Sequence, residues 1–338
     1  EQGRKLRDYK EWERSMDICR ELERKYGLLQ SRGEEYRISR PITAVDCTKG
    51  ELKHQIAGVV KPAVQNYRFQ SFKEFRALLG LFNVTVEEVH TEFTLEETAP
   101  VLENLSRPVL DDTPRNMEHY GQGFGYVVYS TTLPRDASGS IVFEGVHDFA
   151  VVLLDGKVIR TLDRRKNETV CELPAGRMHG EAELSVIVEA MGRVNSDVYL
   201  GDRKGLVGPV VLQNGTTRTP LEKWRIHTAP LQNDQAPAGL GFSPMTVLPD
   251  QPAYYRGWFE ADEAKDTFLD MRNWGKGVVW VNGHCLGRFW NIGPTQTMYL
   301  PAPWIVPGRN EVVVLDLLTP SKPALQGLEN PILDDCRE

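Results

Sequence analysis

From Val86 onward the chain is written in short apolar or alternating runs, each closed by Gly, Pro, Asn or Asp. Such runs are the grammar of an all-β protein, in which strands of a few residues are joined by tight turns. One set contains Gly125-Tyr-Val-Val-Tyr-Ser, the run Val151-Val-Leu-Leu-Asp-Gly-Lys-Val-Ile and Glu183-Leu-Ser-Val-Ile-Val. A second contains Tyr255-Arg-Gly-Trp-Phe, Val278-Val-Trp-Val-Asn-Gly-His-Cys-Leu and Glu311-Val-Val-Val-Leu. Tyr126 and Tyr255, Asp155 and Asn282, and Glu183 and Glu311 are 129, 127 and 128 residues apart, so one β-domain is expected to be written twice, over residues 126–193 and 255–317. Asp155-Gly156 and Asn282-Gly283 sit where a two-residue hairpin needs positive φ, which Asn, Asp and Gly supply cheaply.

A single sheet of these strands would leave one apolar face in water, so each set needs a facing sheet. The predicted fold class is all-β, with two jelly-roll β-sandwich domains preceded by a short helical or mixed N-terminal segment. A parallel α/β fold is disfavoured, because residues 120–320 lack the interspersed helical patterns that its crossovers require. Ahead of the β-region, Tyr9, Trp12, Met16, Cys19, Leu22 and Tyr26 recur three or four apart and predict an amphipathic helix. Residues 34–63 read as short β-prone pieces and turns, and Phe72, Phe75, Leu78, Leu79 and Phe82 predict a second short helix. The expected division is an N-terminal segment over 1–66, a connector over 67–110, a first β-domain over 111–218, an interdomain connector over 219–252, a second β-domain over 253–320 that borrows flanking strands, and a tail over 321–338. Trp224, Trp258 and Trp280 are expected as core or junction anchors.

Composition narrows the function. With 41% apolar and 26% charged residues over 338, the chain has the make-up of a globular protein, and its net charge of −7 argues against nucleic acid as a partner. No apolar run approaches the length of a bilayer helix, so no membrane partner is expected. The five cysteines are too widely spaced for a metal cluster, and no metal or cofactor is predicted. Asn-X-Ser/Thr triplets at Asn83, Asn104, Asn167 and Asn214 are glycan acceptors if the chain enters a eukaryotic secretory route.

Long ordered motifs carry a resemblance. Gln122-Gly-Phe-Gly-Tyr-Val-Val-Tyr-Ser-Thr-Thr-Leu-Pro134, Val146-His-Asp-Phe-Ala-Val-Val-Leu-Leu-Asp-Gly156, Glu189-Ala-Met-Gly-Arg-Val-Asn195, Asp202-Arg-Lys-Gly-Leu-Val-Gly208, Trp274-Gly-Lys-Gly-Val-Val-Trp-Val-Asn-Gly-His-Cys-Leu-Gly-Arg-Phe-Trp290 and Gly293-Pro-Thr-Gln-Thr-Met-Tyr-Leu-Pro301 resemble the C-terminal β-domains of family 35 glycoside hydrolases, the β-galactosidases. The resemblance covers residues 100–320. It implies an association with a (β/α)₈ barrel that removes terminal β-linked galactose with retention, using two glutamates. The run like Glu-Asn-Glu-Tyr-Gly that carries the acid/base in that family does not occur here, nor does the nucleophile motif. A barrel takes about 250 residues, more than precede the β-region, and retention needs two carboxyls about 5 Å apart. No catalytic residue is therefore assigned, and the chain alone is expected to be inactive on galactosides.

The resemblance places the end of the second hairpin towards the barrel. Arg288, Phe289 and Trp290 are the foremost candidates for docking a catalytic domain or bordering its sugar cleft, with Tyr254, Tyr255, Asn291 and Gln296 as neighbours. A Trp290 packed against its own domain would give the same residues. Arg193, Asn195, Asp202 and Arg203 read as loop architecture. Two functions stay open: an accessory region that stabilises and borders a separate (β/α)₈ catalytic domain, and a stand-alone carbohydrate-binding or structural jelly-roll protein whose partners are β-galactoside glycans. The resemblance implies an extracellular, lysosomal or periplasmic location rather than a cytoplasmic one.

Overall fold

The computed structural model describes residues 42–69, 72–85, 92–175, 180–231 and 237–337. The helix expected within the first thirty residues lies outside them. The chain divides into two compact units, Glu1–Val89 and His90–Glu338.

In the first unit the helix expected around Phe72 and Phe75 is present as Phe72–Gly80. Residues 52–63, read from the sequence as part of a mix of short β-prone pieces and turns, belong instead to a helix, Leu52–Asn66. Ile56, Val59, Val60 and Ala63 recur at helical spacing, and the apolar stripe outweighs the hydrogen bond that Pro62 cannot donate. Val59, Ala63, Leu79, Val45 and Val84 form a small core in this unit.

The second unit is all-β, and every strand pairing in it is antiparallel. One six-stranded sheet runs in the order Val109–Asp111, Trp224–Ala229, Tyr126–Leu133, Ala182–Glu189, Phe149–Leu154, Lys157–Asp163. Its first-module partner sheet has the order Thr217–Pro220, Val210–Asn214, Ser140–Phe143, Val170–Glu172. In the second module the large sheet runs Ser243–Pro244, Phe93–Pro100, Ala253–Ala261, Gly308–Asp316, Lys276–Val281, His284–Trp290, and faces a sheet of Thr297–Leu300, Thr267–Asp270 and Gly327–Leu328. The strand Phe93–Pro100, which precedes the whole first module in sequence, thus belongs to a sheet of the second.

Three cores hold these layers. Val127, Tyr129, Val152, Val186 and Trp224 pack with Ile141, Phe143 and Leu212 inside the first module. Tyr255, Val279, Val312 and Val314 pack with Leu269, Trp274 and Leu300 inside the second. The alternate residues of the same strands, among them Tyr126, Val128, Val151, Leu153, Ile187, Tyr254, Val278, Trp280 and Val313, form a third core joining the two large sheets. Because side chains alternate across a strand, a sheet covered on both faces must be apolar at every position. That is why Tyr126–Tyr129 and Val278–Val281 read as continuous apolar runs and not as alternation.

The repeat is visible in the pairing. Tyr126–Leu133, Ala182–Glu189, Phe149–Leu154 and Lys157–Asp163 lie in the same order as Ala253–Ala261, Gly308–Asp316, Lys276–Val281 and His284–Trp290. Both hairpins turn through positive φ, at 49° and 79° for Asp155 and Gly156 and at 48° and 82° for Asn282 and Gly283. Both carry a bulge at equivalent places, Val152/Leu153 and Val279/Trp280. Each turn residue is tied to the neighbouring strand in the same way: the amide of Glu183 donates to Asp155 Oδ1 at 2.8 Å, and that of Glu311 to Asn282 Oδ1 at 2.9 Å. By register Tyr255 answers to Tyr129, since Tyr129 pairs with Val186 and Val186 with Val152 just as Tyr255 pairs with Val314 and Val314 with Val279; Tyr254 then answers to Val128, and Tyr126 and Tyr254 both point into the shared junction core. The two hydroxyls meet there at 2.7 Å. The modules join through equivalent faces, since Val128 and Tyr254, Val151 and Val278, and Ile187 and Leu315 hold matching register positions and all lie in this core.

Candidate junction groove and its charged supports

The strand His284–Trp290 is an edge strand, and its end opens on a groove of about 280 Å³ lined by Met191, Lys276, Arg288, Trp290, Pro294 and Thr295 among others. Trp290 is half-buried. Its ring lies 4.2 Å from the Arg165 guanidinium and 4.2 Å from Lys276 Nζ, and it meets Phe149 edge-on at 5.6 Å. A ring held by two cations is oriented by its quadrupole as well as by packing. Arg165 is in turn held by Asp163, at 2.7 Å.

Lys276 is buried, and its ammonium pairs with the equally buried carboxylate of Glu189. The pair bridges the two modules, since Glu189 ends a strand of the first and Lys276 begins one of the second. Burial lowers the Lys276 pKa below the ordinary lysine value, and Glu189 opposes that shift. Arg288 adds a second tie: its Nη1 donates to the Ala190 carbonyl at 2.7 Å and lies 3.9 Å from Glu189 Oε1. Its guanidinium stands 5.5 Å from the ring of Phe124, which is partly exposed.

The remaining sequence candidates fall elsewhere. Phe289, at 5% exposure, packs in the second module's own core, and Tyr255 is buried in the same core beside Trp274. Phe289 also lines the groove. Gln296 is also buried, and its amide donates to the carbonyls of Asn291 and Asp335, fastening the C-terminal segment. Tyr254 lies in the junction core. Asn291 is half-buried, with its amide donating to the Gly275 carbonyl at 2.7 Å. Of the seven, Arg288, Phe289 and Trp290 line the groove. Lys276, Glu189 and Arg165 were not singled out in the sequence. The one available signal was a lysine between two glycines inside an apolar strand, where a charge needs a buried partner.

The loop residues divide similarly. Arg193 donates to the Gly123 carbonyl at 2.7 Å and pairs with Glu118, while Asn195 is exposed. Asp202 takes a bidentate grip from Arg164 at 2.7 and 2.8 Å and pairs with the buried Lys204 at 2.9 Å. Those cations hold its carboxyl far below the usual aspartate range. Lys204 also reaches Asp148 at 2.8 Å, and the Arg203 carbonyl meets His147 Nδ1 at 2.7 Å. Every charge in this cluster is matched, which marks a structural network. Glu92 pairs with Lys322 at 2.6 Å.

The four glycosylation triplets are also placed differently. Asn104 spends both ends of its amide, Nδ2 donating to Pro100 O and Oδ1 accepting from Gly241 N–H. Asn83 Nδ2 donates to Val45 O and Asn214 Nδ2 to Ser138 Oγ, whereas Asn167 is exposed on a left-handed turn. Among the described residues the four cysteines are unbridged, and no group of His, Cys, Asp and Glu has the makings of a metal site.

With this geometry in hand, two family models match the chain: "Beta-galactosidase, first all-beta domain" over residues 114–231 and "Beta-galactosidase, galactose-binding domain" over residues 252–310. These are the accessory β-domains of the family 35 β-galactosidases. The chain is 36% identical over 242 residues to human beta-galactosidase-1-like protein 2, an alignment covering 69% of this chain and 36% of that protein. It is 36% identical over 209 residues to a beta-galactosidase of Xanthomonas manihotis, covering 61% and 33%, and 30% identical over 289 residues to rice beta-galactosidase 8, covering 73% and 41%. The chain thus spans a third to two-fifths of the length of these relatives. The first matched span covers most of the first module, and the second lies within the second module, whose sheets also take strands from outside it, among them Phe93–Pro100.

Proposed function

We propose that residues 92–337 are an accessory region that stabilises and borders a separate galactoside-hydrolysing (β/α)₈ domain, with the two modules folded as jelly-roll sandwiches. The observation that carries this reading is the junction groove. Arg288 and Trp290 stand at its surface on an edge strand, and their supports, Lys276, Glu189 and Arg165, hold them in place from both modules. A rigid aromatic and arginine pair is the kind of anchor that dominates protein interfaces. On this reading the chain acts outside the cytoplasm, in an extracellular, lysosomal or periplasmic setting, and on its own hydrolyses no β-galactoside. The second reading, a carbohydrate-binding module, draws on the galactose-binding name of the model that matches 252–310.

The test mixes the purified chain with the isolated barrel domain of a relative such as the Xanthomonas manihotis enzyme. Co-elution on size exclusion, raised hydrolysis of a chromogenic β-galactoside, and loss of both in Trp290→Ala are the expected results. Turnover by this chain alone, or failure of the barrel to associate, would overturn the accessory reading.

A further inference from the structure

Besides the groove, the two modules enclose a larger cavity of about 490 Å³, into which both Tyr126 and Tyr254 face. Its walls include Leu105, Pro230, Leu231 and Leu240, together with His227. Tyr126 and Tyr254 are 4% and 2% exposed, and their hydroxyls bond to each other at 2.7 Å. Two hydroxyls carry two protons, and one hydrogen bond uses one of them. The hydroxyl that accepts keeps an O–H with no acceptor among the described residues. A buried donor left unmade is costly, so a phenol proton facing a cavity signals a partner that belongs there.

His227 supplies the opposite polarity. Its Nδ1 lies 2.6 Å from the Ser106 carbonyl, which can only accept, so Nδ1 carries the proton. In the neutral ring Nε2 is then a lone-pair acceptor, and His227 lines the same cavity. Among the described residues no lysine or arginine lines the walls, and Glu103 is the one carboxylate, exposed at the rim. An anion would find no countercharge. The rest of the wall is leucine, proline, alanine and glycine together with Asn104, Ser106 and Thr228, and its leucines and prolines match the C–H face of a saturated ring.

We propose that this cavity is a binding site for a neutral polyhydroxy ligand of monosaccharide size, with the unpaired tyrosine O–H donating to one ligand oxygen, His227 Nε2 accepting from a hydroxyl, and the leucine and proline wall covering the ring. The volume lies in the range of small-ligand sites. The site is built on the module junction, so it requires both modules in register.

The proton count gives the test a particular signature. In Tyr126→Phe the Tyr254 hydroxyl still donates into the cavity, and in Tyr254→Phe the Tyr126 hydroxyl does. Only the double Tyr126→Phe/Tyr254→Phe variant removes the donor. Titration of the intact chain with D-galactose, D-glucose and glycerol, followed by backbone amide NMR shifts, should give saturable changes at residues 103–106 and 227–231 with a hexose. Each single variant should bind within about threefold of the parent and the double variant about tenfold more weakly, the scale of one hydrogen bond. If the double variant does not fold, His227→Asn keeps the bond to Ser106 and deletes the Nε2 acceptor, and it should also weaken binding several-fold. The absence of saturable hexose shifts, a response to glycerol equal to that of the sugars, or full binding by the double variant would each overturn the proposal and leave a cavity that holds water only.

Discussion

Replacing Lys276 by methionine tests how the two modules are held together. Lys276 and Glu189 have side chains 4% and 5% exposed, and they pair across the module boundary. Methionine preserves the length and the apolar stem but removes the ammonium, which leaves the Glu189 carboxylate buried. Among the described residues the cation still near it is Arg288, 3.9 Å from Oε1. Breaking a buried pair from one side costs about 3–5 kcal/mol, and the Arg288 contact places the expected loss near the lower end, about 3 kcal/mol. The cation contacts to Trp290 and Phe149 disappear with it, at 4.2 and 5.4 Å. A domain's whole stability is about 5–15 kcal/mol, so this loss is large enough to move a urea midpoint well outside error. Glu189→Leu in the Lys276→Met background should recover most of the loss, because an apolar pair of similar volume replaces an ion pair at little cost. Urea unfolding followed by tryptophan fluorescence gives all four corners of the double-mutant cycle. A Lys276→Met variant within about 0.5 kcal/mol of the parent, or two substitutions whose effects simply add, would refute the reasoning.

Two further outcomes follow from buried groups. Burial raises the pKa of Asp316 to about 7, from 3.8, against the pull of three backbone N–H donors from Gly275, Lys276 and Leu318. The folded chain then holds a proton that the unfolded chain has released, so this contribution is full below pH 3.8 and is lost as pH rises to about 7; its size is roughly 4 kcal/mol. Unfolding measured across that window should show this falling component, and Asp316→Asn should remove it; a slope unchanged in the variant would rule Asp316 out as its source. At Gly277 an added Cβ would lie 1.8 Å from the Leu315 carbonyl oxygen in the paired strand. Gly277→Ala should destabilise by more than about 3 kcal/mol, the range of severe core overpacking, whereas a soluble variant with a near-native thermal midpoint would contradict the strand register.

The hairpins and the repeat were legible because their determinants are local. A two-residue turn needs positive φ, Asp155-Gly156 and Asn282-Gly283 provide it, and the flanking apolar runs are short enough to be strands. The family resemblance was equally local, carried by contiguous motifs that the two matched models span. Which way each strand faces was a different matter. In a strand with one wet face, alternation states the orientation, but Val278-Val-Trp-Val281 is buried on both faces and carries no such mark. That loss of parity is why Tyr255 was matched with Tyr126, when the strand register matches it with Tyr129 on the opposite face. The helix at 52–66 was obscured by its glycine and proline, whose local cost the packing of Val59 and Ala63 offsets. By itself the sequence determined the β-class, the turns, the repeat and the family, because each depends on neighbours along the chain. Tertiary structure alone decided the Lys276–Glu189 bridge, the cations around Trp290 and the cavity at the tyrosine pair, because these join strands far apart in sequence, and only sheet packing sets which face and which partner each side chain meets.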